Sequence, residues 1–258
     1  MKHQPRKRFG QHFLHDPTVI ERIVRAIDPA SGERLVEIGP GEGALTLPLL
    51  ARGARLTVIE LDRDLAARLE ARPEAGDTLA VVQGDALKIQ LADLAAPGER
   101  LRLVGNLPYN VSTPLLFRFI AQLAVIRDMH FMLQREVVER MAAGPGSKAY
   151  GRLSVMLAVA CRVEPLFDIG PGAFRPPPRV WSSVVRLTPW AEPSFAVPDP
   201  GRFAEVVRRA FGQRRKTLRN ALSGLVDADG IREAGCDPGA RAETLPPEAF
   251  ARLALARC

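Results

Sequence analysis

Short apolar segments alternate with helical patterns over the first half of this chain, and the alternation strongly constrains the fold. Five segments rich in Leu, Ile and Val have the length of buried strands, and between them apolar residues recur at helical spacing. This β-α-β-α order predicts a doubly wound, mostly parallel sheet with helices on its faces. The predicted strands are 35–38, 56–60, 79–83, 101–104 and 130–133, and the predicted helices are 17–27, 44–52, 63–72, 113–123 and 135–142, with Thr113 and Pro114 as cap and first residue of the fourth.

The second half of the chain has a different organisation. A helix is predicted over 152–160, and two consecutive strands over 162–169 and 182–187 predict an antiparallel pair that closes the sheet. Proline recurs between residues 190 and 200, which is typical of a linker. We therefore expect an α/β domain over 1–190 and a small all-helical domain over 200–258, with helices predicted at 202–211, 214–225, 228–234 and 247–256.

Composition excludes several classes of protein. No apolar run reaches the roughly 18 residues of a membrane span, and the basic N-terminus lacks the apolar stretch of a secretory signal. The three cysteines are scattered, which excludes a disulfide framework and a paired-cysteine zinc site. We expect a cytoplasmic protein with no metal and no membrane association.

The positive charge is concentrated in two stretches. The formal net charge is +7, yet residues 1–10 contribute +4 and residues 202–219 contribute +6. This distribution favours a polyanion such as nucleic acid as partner, although a solvated helix face is the alternative. The cations of the second stretch that we assign to nucleic-acid binding are Arg208, Arg209, Arg214, Arg215, Lys216 and Arg219.

Glycines and acids follow the first three strands. Gly39 and Gly41 allow a sharp turn and leave room for a ligand against the main chain. Glu60 ends the second strand, where a carboxylate accepts both hydroxyls of a ribose. Asp85 follows the third strand and is placed to accept a hydrogen bond from an adenine amino group. The glycines and Glu60 fit a nicotinamide-dependent dehydrogenase equally well.

The fourth strand ends in a motif with a more specific use, Asn106-Leu107-Pro108-Tyr109. The amino group of adenine is a poor nucleophile because its lone pair is delocalised into the ring. The side-chain oxygen of Asn106 and the carbonyl of Leu107 can each accept one of its N–H groups and so localise the lone pair. Pro108 fixes the turn and offers no competing N–H, and Tyr109 can stack on a flipped base. A plain β-turn is the alternative.

Taken together, these motifs resemble the ribosomal RNA adenine dimethyltransferases, within the S-adenosylmethionine-dependent methyltransferases. The resemblance covers essentially the whole chain and is closest to the small-subunit branch. Its motifs are Phe9-Gly-Gln-His-Phe-Leu14, Glu37-x-Gly-x-Gly41, Val58-Ile-Glu-Leu-Asp62, Gly84-Asp-Ala86, Asn106-Leu-Pro-Tyr109, Phe174-Arg-Pro-x-Pro-x-Val180 and Phe211-x-x-Arg-Arg-Lys-x-Leu-x-Asn220.

The resemblance implies a Rossmann-like methyltransferase sheet and a role for each motif. His12 and Leu14 would close over the cofactor, S-adenosyl-L-methionine, with His12 standing where the family often has Asn. Phe174 would stack on the face of the flipped base opposite Tyr109. The remaining implied cofactor contacts are Gly39 and Gly41 to methionine, Glu60 to ribose, Asp85 to adenine, and Asn106 to both cofactor and target.

The resemblance also implies the reaction: dimethylation of N6 on two adjacent adenosines, in a hairpin loop near the 3′ end of small-subunit ribosomal RNA, during ribosome biogenesis. The expected partner is that RNA or the immature small subunit, and the expected state is a monomer. Two alternatives stay open, namely a large-subunit dimethyltransferase of the macrolide-resistance type and a non-catalytic RNA-binding protein.

Overall fold

A seven-stranded sheet with strand order β4-β3-β2-β5-β6-β9-β7 dominates the computed structural model, which describes residues 11–256. The first five of these strands in that order run parallel, and β9 pairs antiparallel with β6. The strands are Phe13–Leu14 (β1), Arg34–Ile38 (β2), Arg55–Glu60 (β3), Leu79–Gln83 (β4), Leu101–Asn106 (β5), Ile126–Gln134 (β6), Cys161–Ile169 (β7), Phe174–Arg175 (β8) and Ser182–Pro189 (β9).

The α-helices of the described residues span Pro17–Ile27 (α1), Thr46–Ala51 (α2), Arg63–Glu70 (α3), Ser112–Ile120 (α4), Arg135–Ala142 (α5), Arg152–Ala160 (α6), Pro200–Gly212 (α7), Leu218–Ala221 (α8), Ala228–Glu233 (α9) and Pro247–Leu255 (α10). Helices α2, α3 and α4 form crossovers between parallel strands, and the β4–β5 crossover contains a 3₁₀ helix, Leu91–Leu94. In the described part of the chain, no helix is both long and apolar enough to cross a membrane. The predicted Rossmann-like fold is confirmed.

The central strands are buried on both faces, which explains why their residues are mostly apolar, with Glu37 and Arg102 as buried exceptions. In β5, all five residues from Leu101 to Gly105 are buried, and β2 is buried from Leu35 to Ile38. A parallel sheet covered by helices on both sides produces this pattern. The parallel strands all have their carboxyl ends at one edge of the sheet. The motif residues lie at or directly after those ends.

The start of α1 agrees with the prediction from the sequence, and the start of α4 differs from it. Asp16 caps α1, accepting the main-chain N–H groups of Thr18 and Val19, and Pro17 is the first residue of the helix. Helix α4 begins at Ser112, with Val111 at the cap position and no side-chain cap bond. Thr113 is therefore inside the first turn, where a proline at the next position is still tolerated.

A second, two-stranded sheet was absent from the sequence prediction. Strands β1 and β8 pair antiparallel, with Phe13 opposite Arg175 and Leu14 opposite Phe174. Two-residue strands carry too little periodicity to be recognised in a sequence. The pairing holds the N-terminal motif against the proline-rich segment.

The chain forms two compact units, one of residues 11–138 and 164–189 and one of residues 139–163 and 190–256. The division near residue 190 agrees with the linker, but the segment 139–163, expected within the first domain, belongs to the second unit. The physical reason is burial: Tyr150 and Val155 are 1% and 0% exposed in a core with Phe203 and Phe250.

The helix predicted over 214–225 is mostly not formed. Only Leu218–Ala221 is helical, because Thr217 forms an antiparallel bridge with Arg241 and is extended. The N–H groups of Leu218 and Arg219 donate to the carbonyls of Ala240 and Pro238. Tertiary hydrogen bonds thus replace the helix that the local pattern favours.

Candidate active site

A cavity of about 260 Å³ opens at the carboxyl edge of the sheet. It collects the residues that the sequence places after four strands: Gly39 and Gly41, Glu60, Asp85, and the Asn106–Tyr109 motif. His12 and Leu14 also line it. Ligands in doubly wound folds bind at this edge.

The glycine turn after β2 is packed against the N-terminal motif. Gly39 and Gly41 have φ angles of +66° and +60°, which glycine adopts without strain. A Cβ atom on Gly41 would lie 3.1 Å from Cε1 of Phe13. The turn therefore needs glycine both for its conformation and for the close approach of Phe13.

Glu60 holds two loops of the cavity together. Its carboxylate accepts the N–H of Gly41 at 3.0 Å and the N–H of Asp62 at 2.8 Å. Burial raises the pKa of Glu60, although these hydrogen bonds oppose the shift. The side chain is 6% exposed and lines the cavity, so its oxygens are fixed where a polar ligand can donate to them.

Two further carboxyl groups line the cavity. Asp85 accepts the N–H of Leu87 at 3.0 Å, which fixes one of its oxygens. Glu37, at 1% exposure, accepts the hydroxyl of Thr46 at 2.6 Å. Burial raises the pKa of Glu37 to about 7, and the nearby negative charge of Glu60 adds to the shift. The cavity thus contains an acid that is poised to change charge near neutral pH.

The side-chain amide of Asn106 is oriented by the N-terminal motif. Its Nδ2 group donates to the main-chain carbonyl of His12 at 3.0 Å. With the donor end engaged, the acceptor Oδ1 is the end left for a ligand in the cavity. The next peptide is also fixed, because the N–H of Leu107 donates to the carbonyl of Met132 at 3.1 Å.

Two stacked rings stand beside this amide. The rings of His12 and Tyr109 have centroids 5.5 Å apart and an interplanar angle of 29°. Nδ1 of His12 donates to the carbonyl of Pro176 at 2.8 Å. The hydroxyl groups of Tyr109 and Ser182 are hydrogen-bonded at 2.5 Å, and burial raises the pKa of Tyr109. Both rings are therefore held by a polar contact to the segment around 176–182.

Phe174 is not where the resemblance implied. It is 1% exposed, belongs to the hydrophobic core of the first unit and does not line the cavity. A side chain buried in this core presents no face to the cavity, so in this structure no base stacks on it. The expected base-stacking role of Phe174 is corrected to a core-packing role.

The basic stretch of the second unit divides into paired and unpaired cations. Arg208 and Arg209 both bind Glu205, and Arg214 binds Glu243. The other predicted members, Arg215, Lys216 and Arg219, are exposed and form no ion pair within residues 11–256. The cations of residues 1–10 lie outside the described residues.

Several cavity residues were not assigned a role from the sequence. Gln11 and Phe13 belong to the motif Phe9–Leu14, and Glu37 begins the motif that contains Gly39 and Gly41. Their place in these motifs was the sequence signal that could have assigned them to the cavity. Leu61 is 49% exposed between two acids, and Ser182, which bonds to the cavity residue Tyr109, comes four residues after the last proline of the proline-rich segment. Neither of these last two carries a local pattern that points to the cavity.

Comparison with known proteins agrees with this architecture over nearly the whole chain. The family described as ribosomal RNA adenine dimethylase matches residues 2–256. "Ribosomal RNA small subunit methyltransferase A" of Pseudomonas aeruginosa is 57% identical over 98% of this chain and 94% of its own length. The protein of the same name from Methylococcus capsulatus is 59% identical over 95% of each chain.

Two solved structures share the fold. A dimethyladenosine transferase from Plasmodium falciparum superposes with a TM-score of 0.78 at 25% identity, over 94% of this chain and 96% of that one. The 23S rRNA methyltransferase ErmE gives a TM-score of 0.70 at 25% identity, over 94% and 98%. Because the family match and the identities extend over nearly the full length, this chain belongs to the ribosomal RNA adenine dimethylase family.

Proposed function

We propose that this protein transfers two methyl groups from S-adenosyl-L-methionine to N6 of adenosines in small-subunit ribosomal RNA. The observation that carries the proposal is the orientation of Asn106, whose amide donor is bound to His12 and whose acceptor is left for the cavity. A site built this way accepts the N–H of an amino group. Membership of the family and the names of the relatives supply the reaction class.

The cavity fits S-adenosyl-L-methionine in its chemical groups. The glycine turn leaves main-chain surface open to the amino-acid part of the cofactor, and a Cβ on Gly41 would disturb that turn. Glu60 is fixed for a pair of ribose hydroxyls, and Asp85 for an exocyclic amine. Apolar side chains, including Leu61 and Leu87, offer a surface for the adenine ring. When bound, the cofactor supplies a methyl group on a positively charged sulfur.

The chain acts on the acceptor nitrogen by holding its hydrogens. Oδ1 of Asn106 and the carbonyl of Leu107 each accept one N–H of the target amine. The bond of its Nδ2 to His12 fixes the Asn106 amide before any substrate arrives, and the bond of the Leu107 N–H to Met132 fixes the peptide that precedes the Leu107 carbonyl. This preorganisation withdraws the lone pair from the ring and directs it outward, and it contributes to catalysis through position alone.

A target base must leave its stack to reach this site. Tyr109 supplies an aromatic ring beside Asn106, and its neighbour His12 keeps that ring in place. Bases in single-stranded loops are flipped at less cost than paired ones. The cavity therefore favours an adenosine presented in a loop.

We further propose that the target is two adjacent adenosines in a hairpin loop near the 3′ end of small-subunit ribosomal RNA. Relatives at 57–59% identity are named as small-subunit methyltransferases, whereas the 23S rRNA methyltransferase ErmE shares 25%. These identities favour small-subunit RNA over large-subunit RNA as the substrate. The substrate is then the small-subunit RNA, free or within an assembling particle.

Methylation of defined subunits tests the proposal. The protein is incubated with a radiolabelled methyl donor and either unmethylated small subunits or large subunits, and nucleosides are analysed by mass spectrometry. We expect N6,N6-dimethyladenosine at two adjacent positions of the small-subunit RNA. Label confined to large-subunit RNA, or a product that stops at monomethyladenosine, would contradict the assignment.

A further inference from the structure

An exposed loop at the edge of the cavity carries an aromatic ring and two cations that the described catalytic site does not use. This loop, residues 175–181, runs Arg-Pro-Pro-Pro-Arg-Val-Trp and is called the proline loop below. Trp181 is 52% exposed and Val180 is 42% exposed. Arg175 and Arg179 are exposed and form no ion pair with any residue of 11–256.

The proline loop is fixed to the cavity at both ends. At its start, Arg175 pairs with Phe13, and the carbonyl of Pro176 accepts a hydrogen bond from His12 at 2.8 Å. Just after its end, Ser182 is bonded to Tyr109 at 2.5 Å. Three consecutive prolines restrict the backbone between these anchors. The exposed side chains are thus held at a defined place.

The strand register locates Trp181 relative to Asn106. On β6, Met132 is the partner of Asn106, and Gln134 is the partner of Ser182 on β9. The carbonyl of Trp181 accepts the N–H of Arg135 at 2.9 Å. The backbone of Trp181 therefore lies just beyond the carboxyl edge of the sheet, two strands from Asn106, which corresponds to about 10 Å across the sheet. Its ring extends to the end of β7, where Cη2 lies 3.8 Å from the position of a Cβ on Gly170.

The charge around the ring suits an RNA strand. Between Ile169 and Ala191 the sequence contains no acidic residue, and Arg175 and Arg179 flank the three prolines. A base stacked on an exposed aromatic ring, with cations on the adjoining phosphates, is a general mode of binding single-stranded nucleic acid. Asp168, just before this stretch, is paired with Arg135.

We propose that the proline loop binds a nucleotide that flanks the target adenosine, with its base stacked on Trp181 and its phosphates on Arg175 and Arg179. This inference rests on the proposed function, since it assumes an RNA strand entering the cavity. It adds a substrate contact in the first unit, apart from the basic stretch of the second. The loop would hold the strand while the target base occupies the site.

Steady-state methylation of unmethylated small subunits tests the loop. We expect Trp181→Ala to raise KM for the subunit about tenfold, the size of one lost stacking contact, while affinity for S-adenosylhomocysteine is unchanged. Trp181→Phe keeps a ring and should recover most of the loss. Trp190→Phe is the matched control at the other tryptophan, which is 38% exposed, and should leave KM unaltered.

A second readout does not depend on turnover. The chain has two tryptophans, so the Trp190→Phe variant reports on Trp181 alone, and stacking by an adenosine-rich RNA oligonucleotide should quench its fluorescence. An unchanged KM in a folded Trp181→Ala variant, or Trp181 emission that RNA leaves unaltered, overturns the inference. If the wild-type protein labels no small subunit while Trp181 is quenched, the proposed function fails and the nucleotide site stands.

Discussion

At the residue scale, the side-chain amide of Asn106 has a donor end and an acceptor end, and the fold occupies the donor end. The bond to the His12 carbonyl spans 94 positions of sequence, so the N-terminal motif determines which end faces the cavity. A rotated amide would present N–H groups to an amine that needs acceptors. The orientation therefore decides whether the motif can activate adenine.

We expect Asn106→Ala to reduce kcat by at least 100-fold and to change RNA affinity less than threefold, because its acceptor acts mainly in the transition state. Single-turnover methylation and filter binding measure the two quantities. Gln83→Ala, which removes an exposed amide at the last residue of β4, is the control and should behave as wild type. A parallel loss of binding in Asn106→Ala would show that it holds RNA rather than activates it.

The hydroxyl bond between Tyr109 and Ser182 gives a second prediction. Tyr109→Phe keeps the ring and loses one hydrogen bond, so we expect a twofold to tenfold fall in kcat, equivalent to about 0.5–1.5 kcal/mol. Tyr109→Ala should lose far more, because the stacking ring is gone.

The control for this prediction is a double-mutant cycle. Ser182→Ala alone should match Tyr109→Phe, and the two together should be no worse than either. Additive losses would show that the two hydroxyl groups act independently. A Tyr109→Phe variant as inactive as Tyr109→Ala would assign the main role to the hydroxyl.

The raised pKa of Glu37 predicts that the free energy of unfolding depends on pH. Its pKa rises from 4.5 in the unfolded chain to about 7 in the folded protein, so between these values the folded state binds more protons than the unfolded one. The contribution of Glu37 to stability is full below pH 4.5 and is lost as pH rises through 7. The expected slope is a fall of up to about 1.4 kcal/mol per pH unit.

Chemical denaturation between pH 5 and pH 8 measures this slope in the protein without cofactor. Glu37→Gln cannot ionise, so the variant should lack the Glu37 component and gain relative stability as pH rises. An identical pH profile for variant and wild type would show that Glu37 stays ionised in the folded protein.

At the element scale, helix α7 and the turn that follows it differ in how their cations are used. On α7, Arg208 and Arg209 share Glu205, and these ion pairs hold the pKa of that carboxyl down at about 2. In the turn and α8, Arg215, Lys216 and Arg219 have no acidic partner within residues 11–256. A phosphate must compete with Glu205 on the helix but meets no such competitor in the turn.

The salt dependence of RNA binding should separate these two groups. Neutralising Arg215, Lys216 and Arg219 together should reduce the slope of log K against log salt by about 2–3, since each phosphate contact contributes about 0.7–0.9. The Arg208→Ala and Arg209→Ala double variant is the matched control and should reduce it by less. Equal slopes in wild type and the triple variant would favour a solvated face at this turn.

At the scale of the whole molecule, the core of the second unit is assembled from two separate stretches of chain. Tyr150, from the segment 139–163, donates its hydroxyl hydrogen bond to the carbonyl of Leu245 at 2.9 Å. Its ring contacts Phe211 at a centroid distance of 5.7 Å. Cutting the chain at the linker therefore removes most of a core rather than one domain.

We expect a chain that ends at Pro189 to expose Tyr150 and Val155, which are fully buried in the intact protein. Loss of burial amounts to about 1.5–3 kcal/mol for each large apolar side chain. Thermal unfolding and binding of a hydrophobic dye measure the effect, with the full-length protein as reference. A monomeric truncated chain that unfolds as cooperatively as the intact protein would show that the segment 139–163 does not need the second unit.

The sequence by itself determined the sheet, most helices and the chemistry at one edge of the molecule. Periodicity is local, so a strand such as 79–83 or a helix such as 17–27 can be recognised without knowing its neighbours. Because parallel strands end at a common edge, the residues that follow them were predictably brought together. Glu60, Asp85 and Asn106 line one cavity for that reason.

Only the tertiary structure decided how those residues are oriented and which neighbours they have. The bonds of Asn106 to His12, of Tyr109 to Ser182 and of His12 to Pro176 join positions 94, 73 and 164 residues apart. Phe174 is buried in a core that it shares with Leu14, its partner in a two-residue strand pairing 160 positions away. Such contacts follow from competition for space and hydrogen-bond partners in the folded chain, which a local pattern does not encode.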